Sequence, residues 1–373
     1  MEKIALAFKS LFSRSGWHLL QLACINRTVI PLFKLQRGLS RSWIPGPTTV
    51  SVELTNRCNL NCAMCVRRFW DREANPLGDM NYAFFAQHIL RYLKPYQVVN
   101  LQCVGESLLN RDFLKMLAAC KQAGCLATFT TNGVILRKFA DAIVAQGADE
   151  VCVSVDGLES MKKWRYVDVD KVLDGIDAIT EAKHRQQRKT PVVTVNCVVT
   201  RDSLGELPAL MDQLGRKGVA RVTLLHLIAY ETAQTEQSVI PVYGEAAPVF
   251  AKVQAIARQH RIELVMPPAP GDRSKCRQPF RALFINWDGD VRPCCMSTFN
   301  ERGALLVGNV AHTPLPELWN SGYMHRLRRA LDREEDLPGI CGPCPMRRCD
   351  LESHTHPVFP PEPESTRQTS SLE

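Results

Sequence analysis

From about residue 45 the chain alternates short runs of apolar and β-branched residues with longer stretches whose apolar positions recur at helical spacing. The runs predict strands over 49–54, 97–103, 125–130, 150–155, 192–199 and 219–227. The periodic stretches predict helices near 81–94, 110–123, 135–146, 168–187, 205–217 and 243–260. A strand followed each time by a helix is the pattern of repeated βα units around a parallel sheet. Six such units predict an α/β fold, a partial (β/α)6 barrel of the TIM type.

The pattern breaks at 266–272, where Met-Pro-Pro-Ala-Pro-Gly-Asp reads as a linker, and a cysteine-rich module follows. Inside that module Asp288-Gly289-Asp290, between apolar runs at 280–286 and from 291 onward, is a hairpin signal, and 315–331 has the periodicity of one amphipathic helix. From about residue 356 Pro, Glu, Ser and Thr dominate, a composition that predicts disorder. The expected organisation is a basic amphipathic segment over 1–47, the partial barrel over 48–265, the cysteine-rich module over 266–355 and a disordered tail over 356–373.

Of the 373 residues 15 are cysteine, an odd number with several crowded into short motifs. Such crowding suits metal ligands and buried thiols in a reducing compartment rather than the paired framework of a small secreted domain, so a cytoplasmic location is expected. The formal charge of +8 favours an anionic partner such as a phosphate, a sugar nucleotide or a lipid headgroup; no nucleic-acid partner is expected. Within residues 1–43, Lys3, Lys9, Arg14, Arg27, Lys34, Arg37 and Arg41 face the single acid Glu2 and interleave with apolar residues. No apolar run there approaches the roughly 20 residues that span a bilayer. The segment predicts a helical pair packed on the protein's own surface, with peripheral membrane contact as the alternative.

The densest chemical signal is Thr55-Asn-Arg-Cys58-Asn-Leu-Asn-Cys62-Ala-Met-Cys65, directly after the first strand. Three thiolates are one fewer than a cubane iron-sulfur cluster needs, and an iron without a protein ligand is free to bind a substrate or cofactor. A zinc knuckle would need a fourth ligand from elsewhere. The spacing C-x3-C-x2-C in this context resembles the radical S-adenosylmethionine (SAM) superfamily. The resemblance implies that Cys58, Cys62 and Cys65 hold a 4Fe-4S cluster whose open iron chelates SAM. It implies, too, that an electron from the cluster cleaves SAM to methionine and a 5′-deoxyadenosyl radical, which takes a hydrogen atom from the substrate.

Further positions resemble the family's cofactor site, at strand ends where the loops of β/α barrels build their sites. Val104-Gly105-Glu106-Ser107 is similar to the family's Gly-Gly-Glu-Pro, which implies close backbone approach at Gly105 and a Glu106 carboxylate accepting from the methionine ammonium. Thr130-Thr131-Asn132-Gly133 and Ser154-Val155-Asp156-Gly157 resemble elements lining the methionine and ribose, implicating Thr131, Asn132, Ser154 and Asp156. Asn-Gly and Asp-Gly are also plain turn formers. Met64 stands where the family often carries an aromatic residue against adenine, and Arg165 is a candidate for the cofactor carboxylate, the alternative being an exposed surface arginine.

In the second module Cys276, Cys294 and Cys341-Gly-Pro-Cys344, with Gly289, Gly308-Asn309-Val310 and Leu315-Pro-Glu-Leu-Trp319, resemble the twitch form of the family's SPASM module. The resemblance implies one auxiliary 4Fe-4S cluster on Cys276, Cys294, Cys341 and Cys344. On ligand count a zinc ribbon fits the same four residues. Cys295 adjoins Cys294, and adjacent side chains point apart on extended backbone, so one of the two is expected to ligate; the spacing to Gly289 selects Cys294. Cys295 and Cys349 are candidate hydrogen-atom donors, with a structural thiol as the alternative for each.

Together these readings imply a radical SAM oxidoreductase acting on a small carbohydrate-like, nucleotide-linked or lipid-linked metabolite by dehydrogenation or epimerisation. The auxiliary cluster would take the product electron, and a flavodoxin- or ferredoxin-type protein would be the reductant. His226, Tyr230 and Arg281 are candidates for a substrate-side base or anchor. A maturase of ribosomally made peptides ranks second, because the 44 residues before Pro45 are too few for a winged-helix peptide-binding domain. A non-catalytic iron-sulfur or zinc protein on the same scaffold is the third reading.

Overall fold

The computed structural model describes residues 46–299 and 305–355. The expectations for the basic segment and the tail therefore lie outside the described residues. All six predicted strands form, mostly with shorter bounds: β1 (Thr49–Val52), β2 (Val98–Asn100), β3 (Leu126–Thr131), β4 (Glu150–Ser154), β5 (Val192–Val199) and β6 (Arg221–His226). They pair in chain order, each parallel to the next. The intervening helices are α1 (Tyr82–His88), α2 (Phe113–Gln122), α3 (Leu136–Gln146), α4 (Ser160–Arg165), α5 (Val169–Arg185), α6 (Leu207–Arg216) and α7 (Tyr243–His260). The pattern at 158–165 is too short to announce α4.

Burial alternates along the strands with the apolar side outward, under the helices. On β4, Val151 and Val153 are fully buried, while Glu150, Cys152 and Ser154 alternate with them. Asn100, Thr128, Thr130, Glu150, Cys152, Thr194, Asn196, Arg221 and Thr223 line one cavity of about 240 Å³, which Val265 also reaches, so the sheet curls around a polar lumen. Glu150 and Arg221 start β4 and β6, at the end of the lumen away from the strands' C termini. Arg221 Nη2 donates to both carboxylate oxygens of Glu150 at 2.8 Å, and Thr194 Oγ1 donates to Oε1 at 2.8 Å, which neutralises the charge at that end.

The cysteine-rich module is not a separate layer. After α7 the chain adds β7 (Glu263–Val265) at the β6 edge, inside the stretch where composition alone shows only the approach to a linker. It then returns to the opposite edge, where β8 (Ala282–Ile285) runs parallel to β1. The predicted hairpin follows as β9 (Asp290–Arg292), antiparallel to β8, and β10 (Gly308–Asn309) closes a ten-stranded open sheet in the order β10-β9-β8-β1-β2-β3-β4-β5-β6-β7. Gly289 takes φ +92° in the hairpin turn, and a side chain there would also meet Phe84 of α1 at 2.7 Å. The single helix expected over 315–331 is two helices, α8 (Leu315–Trp319) and α9 (Gly322–Arg333), because Ser321 Oγ accepts from Met324 N at 3.3 Å and starts a new N-terminus.

The seam between β1 and the hairpin holds a buried carboxylate. Glu53, 3% exposed, accepts from Val104 N at 3.4 Å and from Trp287 N at 3.3 Å. Burial pushes its carboxyl up to about 7, with Asp288 adding to the shift while the two backbone bonds and Arg292 oppose it. Because the folded value lies above the unfolded one, the contribution of Glu53 to stability is greatest at low pH and is lost as pH rises from about 4.5 to about 7. Anaerobic denaturant unfolding across that range should show this loss, on the order of 3 kcal/mol, in the parent protein and its absence in Glu53→Gln; parallel pH curves would contradict the assignment.

Candidate active site

The loop carrying Cys58, Cys62 and Cys65 leaves β1 at its C-terminal end, and buried side chains fix its backbone on several sides. Asn110, 4% exposed, donates from Nδ2 to Leu54 O at 2.6 Å and Met80 O at 2.8 Å. Arg67, 7% exposed, donates from Nε to Asn56 O at 2.9 Å and from Nη1 to Leu60 O at 3.4 Å, bracketing Cys58. Ala63 N donates to Trp164 O at 2.8 Å, and Ala63 O accepts from Gln234 Nε2 at 2.9 Å. None of Asn110, Arg67 and Gln234 stands out in the sequence, since each acts on a loop that the fold alone brings to it.

Glu106 lies on the other side of the loop, 1% exposed. Its Oε1 accepts from Thr131 Oγ1 at 2.9 Å and Leu108 N at 3.2 Å, and its Oε2 accepts from Asn132 N at 2.7 Å. Burial raises its pKa, and these bonds oppose the rise. Thr131 is thus occupied in orienting Glu106. Asn132 donates from Nδ2 to Asn59 Oδ1 at 2.8 Å and toward Cys58 Sγ at 3.6 Å, so its amide faces the cysteine loop. Gly105 serves this loop too: a Cβ there would lie 2.1 Å from Thr55 O and 2.7 Å from Arg57 O.

Arg165 is not a surface residue. It closes α4 with its side chain only 14% exposed, and its guanidinium pairs with Asp156, Nη2 to Oδ1 at 3.1 Å. Burial works against its charge, but Asp156, with the Cys62 and Cys65 thiols adding, more than offsets this and raises its pKa. Asp156 is also held by Val198 N at 2.9 Å. Ser154 ends β4 one turn earlier, and Met64 is half-buried in the cysteine loop. Tyr230 stacks on Phe69 at 5.3 Å between centroids, and its backbone N donates at 2.7 Å to Gln234 Oε1, the side chain that holds Ala63 O, so it lies beside the cysteine loop; burial, and secondarily Cys65, raise its phenol pKa.

Other candidates lie elsewhere. His226 ends β6 but turns to Pro268 O, 2.8 Å from Nε2, and to the His354 ring at 5.3 Å, where burial lowers its pKa. Arg281 is exposed at the start of β8, the opposite end of the sheet from the cysteine loop. Cys349 donates to Pro268 O at 3.3 Å in the contact between the 266–272 segment and the chain's last described turn.

Cys276, Cys294, Cys341 and Cys344 line a single small cavity beneath α9, as the spacing anticipates, and Cys295 lines it too. Cys295 begins a helical turn, Cys295–Phe299, so the two adjacent cysteines are not both on extended backbone and both line the cavity. Burial, then the neighbouring thiols, push Cys341 and Cys295 up to about 12 and Cys344 up to about 11. Cys62 in the first loop is pushed up to about 11, again chiefly by burial. The residues of the C-terminal set share one cavity and those of the first set share one loop; among the described residues no three such side chains stand close enough to enclose a single ion, while thiols as the donor type suit the larger cationic core of an iron-sulfur cluster.

Replacing Gly105 by Ala should force Thr55 and Arg57 apart from the Glu106 loop. After anaerobic reconstitution the variant is expected to hold markedly less iron and to bind SAM at least tenfold more weakly, measured by iron assay and equilibrium binding. Parent-like values would show that the close approach does not set the cysteine loop.

Comparison with known proteins matches the same two regions. Residues 52–214 match the model of the Radical SAM superfamily, and residues 276–345 match SPASM, an iron-sulfur cluster-binding domain. The chain is 26% identical over 324 residues to the tungsten-containing aldehyde ferredoxin oxidoreductase cofactor-modifying protein of Pyrococcus furiosus, covering 82% of this chain and 89% of that protein. It is 24% identical over 325 residues to a PqqA peptide cyclase of Xanthomonas campestris pv. campestris, covering 83% and 82%. Among solved structures, Streptococcus suis SuiB bound to its precursor peptide SuiA superposes with a TM-score of 0.58 at 18% identity, covering 76% of this chain and 67% of that one. Native anSMEcpe with bound AdoMet gives 0.57 at 15%, covering 74% and 82%. With three cysteines in one loop of a parallel α/β sheet and four more gathered in a matching C-terminal module, the chain belongs to the radical SAM superfamily and is an enzyme with a SPASM-type module, using a 4Fe-4S cluster, SAM and an auxiliary iron-sulfur cluster.

Proposed function

We propose that the chain is a maturase that modifies a peptide by radical SAM chemistry, the reading that ranked second on sequence alone. Two things support it. Relatives spanning more than four-fifths of this chain include PqqA peptide cyclases, and SuiB, with the same fold, was captured with a precursor peptide. The objection that too few residues precede the barrel concerns residues 1–44, which lie outside the described residues. The single observation that carries the chemistry is the convergence of Cys58, Glu106 and Asn132 at one end of the sheet, next to a module with four gathered thiols.

In this reading Cys58, Cys62 and Cys65 hold the first cluster and Cys276, Cys294, Cys341 and Cys344 the auxiliary one, with Cys295 as the competing fifth thiol. The bound cluster and SAM supply a 5′-deoxyadenosyl radical. Glu106 keeps a lone pair on Oε2 beyond its bond to Asn132 N and offers it to the SAM ammonium. The Asp156–Arg165 pair, with Ser154 beside it, offers hydrogen-bonding groups to the ribose and carboxylate, and Met64 an apolar contact to adenine. Gly105, Thr131 and Asn132 act as positioning residues, Gly105 on the Thr55–Arg57 stretch of the cysteine loop, Thr131 on Glu106, and Asn132 on both Glu106 and Cys58. Tyr230, beside Cys65, is the remaining candidate for a substrate-side contact. The lumen, polar yet neutralised by the Glu150–Arg221 pair, suits the uncharged amides of a peptide segment. A flavodoxin- or ferredoxin-type protein is the reductant.

Reconstituted enzyme should carry about eight irons, and Cys58→Ala/Cys62→Ala/Cys65→Ala about four, one cubane fewer. SAM and reductant should yield 5′-deoxyadenosine with the parent and only background with the variant. Coexpression with short peptides encoded beside the gene, read by mass spectrometry, should give a peptide of altered mass that needs Cys58. Unaltered peptides, together with 5′-deoxyadenosine formation stimulated by a small metabolite, would overturn the peptide reading.

A further inference from the structure

Helix α9 has two faces with opposite character. Leu327 and Leu331, 4% and 2% exposed, point inward and line the cavity that holds the auxiliary thiols. Arg326, Arg329 and Arg333 recur at i, i+3 and i+7 on the far side, are exposed, and line a surface groove of about 330 Å³. None of the three makes an ion pair among the described residues, whereas the inward Arg328 donates from Nε to Pro279 O at 2.7 Å and lies 4.1 Å over the Trp319 ring. That stacking anchors the helix, so the outer arginines are presented on a fixed support. Glu335 and Asp336, just past the helix's C-terminal end, also line the groove.

From this arrangement we infer that the outer face of α9 is the docking surface for an acidic one-electron carrier protein that reduces the auxiliary cluster. The inference rests on the auxiliary-cluster reading above. Three guanidinium groups over seven residues span about 10 Å of helix, wider than a single phosphate and suited to a patch of carboxylates. The same helix lies between the groove and the cavity, a thickness of about 10–12 Å, and Leu327 lines both, so a carrier seated there lies close to the cluster. Glu335 and Asp336 repel a carboxylate-rich surface where they stand, so the carboxylates of the carrier seat on the arginines along the helix. One electron passes from the reduced flavin or iron-sulfur centre of the carrier to the auxiliary cluster, whose core charge falls from 2+ to 1+; no bond is made or broken.

The test uses the reconstituted full chain, an acidic flavodoxin, and the Arg326→Glu/Arg329→Glu/Arg333→Glu variant. A control reverses three exposed lysines on the barrel helices, Lys138→Glu/Lys171→Glu/Lys252→Glu, giving the same net charge. Calorimetry at low salt should show flavodoxin binding that weakens with ionic strength in the parent and control, and at least tenfold weaker binding in the α9 variant. Stopped-flow reduction by flavodoxin hydroquinone should slow by a similar factor, while reduction by dithionite stays the same. Equal flavodoxin affinity in the α9 variant and parent, or equal loss in the control, overturns the docking surface. About four irons per parent chain instead of about eight would overturn the auxiliary-cluster reading, and this inference with it.

Discussion

The structure depends on the placement of β1 between two parallel neighbours. β2 pairs along one side and β8 along the other, and Glu53 N continues the second ladder to Ile285 O at 2.8 Å. A strand saturated on both sides is rigid to its last residue, so the loop leaving it starts from a defined point. Because β8 belongs to the cysteine-rich module, the two metal-binding regions share one sheet. The cavity with the auxiliary thiols is therefore held at a set distance from the first cysteine loop rather than tethered by the linker at 266–272.

On that frame the site is built largely from buried polar groups that satisfy one another. Glu106 is occupied by Thr131, Leu108 and Asn132; Asp156 by Arg165 and Val198; Ala63 by Trp164 and Gln234. An unpaired group at any of these places would carry its full desolvation cost, so each contact is made and the loop has one arrangement. The thiols are the exception. Burial raises the pKa of Cys62 and Cys341, so cluster binding has to draw their protons off and is coupled to pH.

The lumen follows from the same logic in the opposite sense. Helices cover the outer faces of the strands with Val151, Val153 and their neighbours, leaving Asn, Thr and Cys side chains to line the inside. A closed barrel of eight strands would fill that space with branched apolar residues. This sheet stays open between β10 and β7 and keeps a polar interior, and only at the amino-terminal end of the strands does the Glu150–Arg221 pair occupy it.

The six βα units, the three-cysteine loop and the four separated cysteines are legible in the sequence because each rests on local order: periodicity, spacing or a turn. The roles of the residues between them are not. Arg165 reads equally as a cofactor contact or a surface arginine until α4 folds it against Asp156, and Asn132, read as part of a loop lining methionine and ribose, has its amide brought to Cys58 only by β3. His226 and Arg281 look equivalent to Tyr230 as candidates, yet only Tyr230 faces the cysteine loop. The pairing of β8 with β1, the break between α8 and α9 and the presence of Cys295 in the auxiliary cavity likewise come from contacts between distant segments. Sequence by itself determined which metal chemistry the chain carries, since cluster ligation needs only thiols at suitable spacing. Tertiary structure decided which polar residues serve that chemistry, since the direction of a side chain is set by what packs against it.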